Sequence, residues 1–267
     1  MSSGRYTARM EHSSVATIRA RLSACPADDL PAVIAEFRDD TRAGVRDALA
    51  GAERRAARWD AERRRLEALA SAELQLLDKG VLVVAGVDEV GRGALAGPVS
   101  AGACVLPRDL RLEGLDDSKR LSRIARERLF AEIERTAIAV AVGHAEPSEI
   151  DAIGIAEATV VAMRRALAAL GLEIGHVLVD GRSVALGVPC TAIVRGDSSV
   201  RAIAAAAIYA KVTRDALMRE LDSTYPGYWL ADNKGYGSPE HLAAIAAMGP
   251  SPVHRRSFSP CSQTGLF

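Results

Sequence analysis

Apolar and polar residues follow two different rhythms along this chain, and the change of rhythm divides it. In the first stretch Val15, Ile18 and Leu22 recur at helical spacing. Leu30, Val33, Ile34 and Phe37 repeat it behind Asp28 and Asp29, a pattern that predicts a capped amphipathic helix. A longer helix is predicted over 42–77, with apolar points at Val45, Leu49, Trp59, Leu66, Leu69 and Leu76. Asp78-Lys79-Gly80 closes this region. Beyond it, short apolar runs alternate with helical stretches. Strands are predicted at 81–87, 99–106, 138–144, 177–179 and 191–194, and helices at 120–136, 147–170, 200–221 and 239–248. The pattern predicts an all-helical extension over 1–80. An α/β domain over 81–267 follows, a mixed sheet flanked by helices and ending in a helical segment.

Composition narrows the function classes. A chain of 267 residues buries an ample core. Lys plus Arg number 34 and Asp plus Glu number 34, and 49% of residues are hydrophobic, which excludes a disordered chain and a histone-like binder but not a local basic groove. Aromatics are only 4%, so aliphatic residues build the core, and a base-stacking sheet for single strands is disfavoured. No apolar run reaches the ~20 residues of a membrane span, since Lys211 and Arg214 end the best stretch. The N-terminus lacks the apolar middle of a secretory signal, and Glu11 argues against a transit peptide. Cys25, Cys104, Cys190 and Cys261 are scattered without zinc spacing, as expected of reduced thiols in a cytoplasmic protein.

In the long helical segment Arg54, Arg55, Arg58, Arg63, Arg64 and Arg65 interleave with Glu53, Asp60, Glu62 and Glu67. They read either as a solvated face with local ion pairs or as a face that touches a nucleic-acid backbone or a partner protein.

The densest chemistry is Asp88-Glu89-Val90-Gly91-Arg92-Gly93 at the end of the first predicted strand. Neighbours in a regular strand point to opposite faces, so both carboxylates reach one site only if the strand ends or bulges there. Gly91 and Gly93 supply that freedom, and their N–H groups can hold a phosphate or a hydroxyl. Asp180 ends another apolar strand, and Asp197 follows a third. If these ends converge, four carboxylates need cations to stay ionised, and an all-oxygen set suits Mg²⁺ or Mn²⁺ rather than zinc. Two such ions about 4 Å apart can activate water and stabilise the leaving oxygen of a phosphoryl displacement. The bland alternative is a charged turn after a strand. Arg92 is a fork for phosphate or a surface ion pair, Lys119 a phosphate contact or a solvated side chain, and Tyr236 a stacking ring or part of a glycine turn. Lys211 and Arg214 share a helix face, with ion pairing preferred over phosphate contact. His254 is left outside the catalytic set.

The ordered motifs resemble the ribonuclease HII family. Ala85-Gly86-Val87-Asp88-Glu89-Val90-Gly91-Arg92-Gly93 with Ala96-Gly97-Pro98-Val99 resembles its opening block. Asp117-Ser118-Lys119, Glu149-Ile150-Asp151, Val179-Asp180-Gly181, Gly196-Asp197 and Ala210-Lys211-Val212-Thr213-Arg214-Asp215 follow in its order. Lys234-Gly235-Tyr236-Gly237 and His254-Arg255-Arg256-Ser257-Phe258 complete it. The resemblance implies a ribonuclease H-like fold and a metal-dependent endoribonuclease, with Asp88, Glu89, Asp180 and Asp197 as catalytic metal ligands for Mn²⁺ or Mg²⁺. It implies that the Gly91-Arg92-Gly93 backbone reads a ribose 2′-OH and that Tyr236 packs on the next sugar; Lys119 joins Arg92 as a candidate substrate contact. The implied substrates are RNA–DNA hybrids and duplex DNA with single ribonucleotides, cut on the 5′ side to leave a 3′-OH and a 5′-phosphate. A protein partner would use the N-terminal helices, although neither end shows a clamp-binding motif. The chain departs from the family at Ser199, Val200, Ala202 and Ala207, where a basic residue and serines are usual, and this is expected to remove phosphate contacts. Gly154 and Ala94 are departures that read as structural. The rivals are another ribonuclease H-like nuclease, such as a resolvase or the sister ribonuclease HIII, which usually has Glu where Asp197 stands, and a non-catalytic nucleic-acid scaffold.

Overall fold

The computed structural model describes residues 13–263. The targeting reading of the N-terminus falls mostly outside this range, and so does the search of both ends for a clamp-binding motif. Two compact units divide between Glu67 and Ala68.

The first unit is helical. Helix α1 (Val15–Ala24) begins at Ser14, whose Oγ accepts from the Thr17 N–H. Helix α2 (Leu30–Phe37) corrects the capping expectation. Asp29 holds the cap position but makes no side-chain cap, because its backbone is already helical, and the start is set by a proline in the first turn. Asp28 instead accepts from the Trp59 indole N–H at 2.8 Å. Helix α3 (Ala43–Asp78) contributes Val45, Leu49 and Ala52 to a core shared with Ile18, Leu22, Leu30, Ile34 and Phe37. Arg55 leaves the solvated face and donates to the carbonyls of Leu22 and Cys25 at the end of α1, replacing partners that the helix end lacks. Arg63 and Arg64 pair with Asp60, and Arg65 with Glu62 at 2.7 Å, as the local ion-pair reading expects.

The second unit holds the end of α3 and the sheet. Its strands are β1 (Val84–Val90), β2 (Val99–Val105), β3 (Ala139–Ala145), β4 (His176–Asp180) and β5 (Cys190–Ile193). Their order is β3-β2-β1-β4-β5. β1 is antiparallel to β2 and parallel to β4, and β4 is parallel to β5. Helix α4 (Arg123–Thr136) starts at its Ser122 cap. Helix α5 (Pro147–Ala169) covers one sheet face, packing Ala158, Ala162 and Met163 on Ala85, Val87, Val177 and Val179. Gly154 breaks its helical geometry with φ 79°, so that departure is structural. A short helix α6 (Gly196–Ser199) leads into α7 (Arg201–Thr224), which covers the other face. α7 lies so close that a Cβ on Gly86 would come within 2.2 Å of the Ala202 carbonyl carbon. Helices α8 (Leu230–Asn233) and α9 (Pro239–Met248) form the C-terminal segment with Met218, Tyr228 and Leu95. The short α6 and α8 lack a periodic pattern, and the sequence reading does not anticipate them.

Buried charge also ties α3 to α7. Glu73 and Arg201 pair at 3.0 Å with side-chain exposures of 3% and 6%, and Glu73 also accepts from the Ala202 N–H. All four cysteines are free. No helix among the described residues is long and apolar enough to cross a membrane.

Candidate active site

Strand alternation builds this site. In β1, Ala85 and Val87 face α5, whereas Val84 packs with Leu178, Val200 and Ile203 on the other side. Period two therefore places Asp88 on the α7 face and Glu89 on the α5 face. β4 repeats the pattern, with Val177 and Val179 toward α5 and Leu178 opposite, so Asp180 shares the face of Asp88. The parallel register pairs Val87 with Val179, which sets Asp88 beside Asp180 at the sheet's end. The strand neither ends nor bulges at Asp88, contrary to the convergence argument. β1 continues regularly to Val90, and neighbouring carboxylates leave by opposite faces.

Asp197 arrives by a turn. Arg195 takes a left-handed conformation, and Gly196 follows where a Cβ would strike Ile203 at 2.6 Å. The Gly196 N–H donates to Asp180 Oδ1 at 2.6 Å, and the Glu89 N–H donates to Asp88 Oδ1 at 2.7 Å. Asp88, Asp180 and Asp197 each present an oxygen within 4.8 Å of the others. Glu89 stands outside this group, paired with Arg92 at 3.3 Å. Its charge still reaches Asp88. Burial first, then the charges of Glu89, Asp180 and Asp197, hold the Asp88 carboxyl well above the usual range.

This donor set fits a hard divalent cation. The oxygens are crowded and like-charged, and among the described residues the cation that pairs with them is Lys119, reaching Asp197 Oδ2 at 3.3 Å from a side chain that is 80% exposed. A cation among the three aspartates would relieve both the burial and the repulsion.

The remaining predicted residues surround the cluster unevenly. Arg92 and Gly93 are exposed, and Gly91 is buried. Tyr236 is part-exposed, with its ring 5.9 Å from the Arg214 guanidinium carbon. A cavity of about 660 Å³ runs from Glu89, Arg92 and Asp180 past Arg164 and Arg182. The expected loss of phosphate contacts is corrected at three of four positions. Val200, Ala202 and Ala207 are buried in the helix–sheet core, where a side chain touches no substrate, and Ser199 alone is exposed. Lys211 pairs with Asp215 at 2.7 Å, as preferred. Arg214 does not pair with an acid. It is fully buried and donates to the carbonyls of Ala96, Pro98 and Lys234. His254 is buried, accepts from the Ser251 N–H at Nδ1 and lies 3.0 Å from His241, a packing role.

Sequence reasoning missed Arg214, Arg255 and Glu73 as framework residues. Arg214 and Glu73 carried a signal. Ala210, Arg214 and Met218 recur on one helix stripe, as do Leu69, Glu73 and Leu76.

The sheet order and strand-end carboxylates define a ribonuclease H-like nuclease, and solved structures agree. Ribonuclease H2 from Pyrococcus horikoshii OT3 superposes with a TM-score of 0.57 at 27% identity, covering 68% of this chain and 96% of that one. The RNase HII of a PCNA:RNase HII complex from Archaeoglobus fulgidus gives 0.56 at 25% identity, covering 66% and 95%. The ribonuclease HII family model matches residues 85–261, and the ribonuclease HII N-terminal domain model matches 14–77. Ribonuclease HII of Anaeromyxobacter sp. (strain Fw109-5) is 49% identical over 231 residues, 86% of this chain and 73% of that protein. The chain belongs to the ribonuclease HII family. It is accordingly an endoribonuclease, a hydrolase of RNA–DNA hybrids in a family that depends on divalent metal.

Proposed function

We propose that this enzyme cleaves RNA–DNA hybrids and duplex DNA carrying single ribonucleotides, on the 5′ side of the ribonucleotide, with Mg²⁺ or Mn²⁺ bound by Asp88, Asp180, Asp197 and Glu89. The grouping of three aspartate oxygens at adjacent strand ends carries this reading. When bound, the cations supply positive charge to the reacting phosphate and lower the cost of ionising water. Asp88 and Asp180 each have one oxygen fixed by a backbone N–H, which leaves the second oxygen of each to the ligand. Lys119 and Arg92 stand at the rim, where they attract and orient phosphate. The Gly91-Arg92-Gly93 backbone faces the ribose, and Tyr236 packs on the following sugar. Water adds to phosphorus as the bond to the 3′-oxygen breaks, and that oxygen leaves as a 3′-OH opposite a 5′-phosphate.

Residues 81–267 carry this activity, and 1–80 form an extension available to a protein partner. The free cysteines support a cytoplasmic location. The test is an end-labelled duplex with one embedded ribonucleotide, run in Mg²⁺, in Mn²⁺ and in EDTA. A single metal-dependent cut 5′ of the ribonucleotide supports the reading. Duplex binding without cleavage in either metal overturns it in favour of a binding scaffold.

A further inference from the structure

An ionised group leaves water only when something replaces it. Arg255 is 0% exposed, and no carboxylate lies within ion-pair distance of it among the described residues. Its fork holds three carbonyls instead. Nε donates to Gly97 at 3.0 Å, Nη1 to Arg92 at 2.8 Å and Nη2 to Gly91 at 2.7 Å.

The peptide plane converts this grip into a direction. In a trans peptide the C=O and the following N–H point opposite ways. Turning the Gly91 carbonyl toward Arg255 turns the Arg92 N–H away from it. The Arg92 carbonyl does the same to the Gly93 N–H. Both carbonyls converge on one guanidinium, so both amides leave on the opposite side. Neither amide donates a hydrogen bond among the described residues, and both residues are exposed. A cation on the carbonyl side also polarises each peptide unit and strengthens its N–H as a donor.

Gly93 gives a second observation. Gly91 is required by the fold, since its φ is +83° and a Cβ there would lie 2.2 Å from Arg214 Nε. Gly93 has no such constraint. Its φ lies outside the left-handed region, and a Cβ there would meet nothing within 4 Å. The space beside Gly93 is therefore open, and a ligand can approach its backbone closely.

We propose that Arg255 is a positioning residue for ribose recognition. Its hold on the Gly91 and Arg92 carbonyls presents the Arg92 and Gly93 amides as a two-donor cradle for the substrate's 2′-oxygen. This rests on the reading that the Gly91-Arg92-Gly93 backbone faces the ribose. A deoxyribose has no atom for the cradle, and a 2′-fluorine is a poor acceptor.

The experiment compares duplexes carrying one ribonucleotide or one 2′-fluoro nucleotide at the same position. kcat and KM are read separately for the wild type, Arg255→Lys and Gly93→Ala, with melting followed in parallel. Arg255→Lys keeps the charge but loses the fork, and about tenfold or more of the ribo-over-fluoro preference in kcat/KM should disappear through the ribo substrate alone. Gly93→Ala should melt like the wild type and lose preference in the same direction. Should Arg255→Lys melt below the assay temperature, the wild type decides by NMR in EDTA. The Arg92 and Gly93 amide resonances and the Arg255 Nη resonances should shift with the ribo duplex and stay fixed with the all-deoxy duplex. Amides that stay fixed with the ribo duplex overturn the proposal. A wild type that cuts both substrates equally overturns the ribose reading as well. A wild-type preference retained in full by Arg255→Lys overturns this inference alone.

Discussion

Charge is buried in two neighbouring regions of the catalytic unit, and it is treated in opposite ways. At the strand ends, like-charged Asp88, Asp180 and Asp197 converge, and the cation paired with them among the described residues is an exposed lysine. Beneath the adjoining loops, Arg214 and Arg255 are each wrapped by three carbonyls. The guanidiniums are satisfied from within the chain. The carboxylates are satisfied only in part, by one backbone N–H each on Asp88 and Asp180 and by Lys119 on Asp197. Burial alone therefore does not mark a functional group, and what distinguishes the site is that its like charges are compensated only in part from within the chain.

The strongest way to break the comparison is Asp88→Asn. It should reduce kcat by about 10³-fold or more while the melting temperature in EDTA stays level or rises, because a repelling charge has gone. A large fall in melting temperature would make Asp88 a framework residue. Arg214→Met should do the reverse, costing on the order of 3 kcal/mol or more by urea denaturation, since three carbonyls lose their donor. A stable variant would show that those carbonyls find other partners.

A third measurement concerns a buried neutral pair. Burial first, then the charge of His241, lowers the His254 pKa from 6.5 to about 4. The unfolded chain binds that proton at higher pH than the folded one. Stability is therefore fully present above pH 6.5 and lost as pH falls toward and through about 4, at up to about 1.4 kcal/mol per pH unit. Urea midpoints at pH 7, 6 and 5 should drop more in the wild type than in His254→Gln, and parallel curves would count against the assignment. The smallest effect belongs to Lys119→Ala, a rim charge. It should raise KM less than about tenfold and move stability by under about 0.5 kcal/mol.

The carboxylate region was legible in the sequence because each aspartate follows an apolar strand or a strand-end glycine, and parallel strands bring such ends together. The separation of Asp88 from Glu89 was written there too, in simple alternation, but the flanking glycines suggested a bulge that β1 does not make. The arginine region was far less legible. Arg214 lies in an alanine- and methionine-lined stripe, yet a basic residue beside Lys211 reads as a surface charge. Arg255 sits in no periodic element, and its partners are backbone carbonyls, which no residue type announces. The family departures at Ala202 and Ala207 were visible as letters, but their burial against β1 and β2 depends on how closely α7 approaches Gly86 and Gly102.

The span between Gly91 and Arg255 also orders events in time. A ribosome makes the acidic strands and the glycine loop well before the arginine, 164 positions later, that clasps the loop. A growing chain that has already emerged with all its aspartates still lacks the clasp. The proposed clasp thus gives the glycine loop its final shape only once a segment 164 positions downstream has been made.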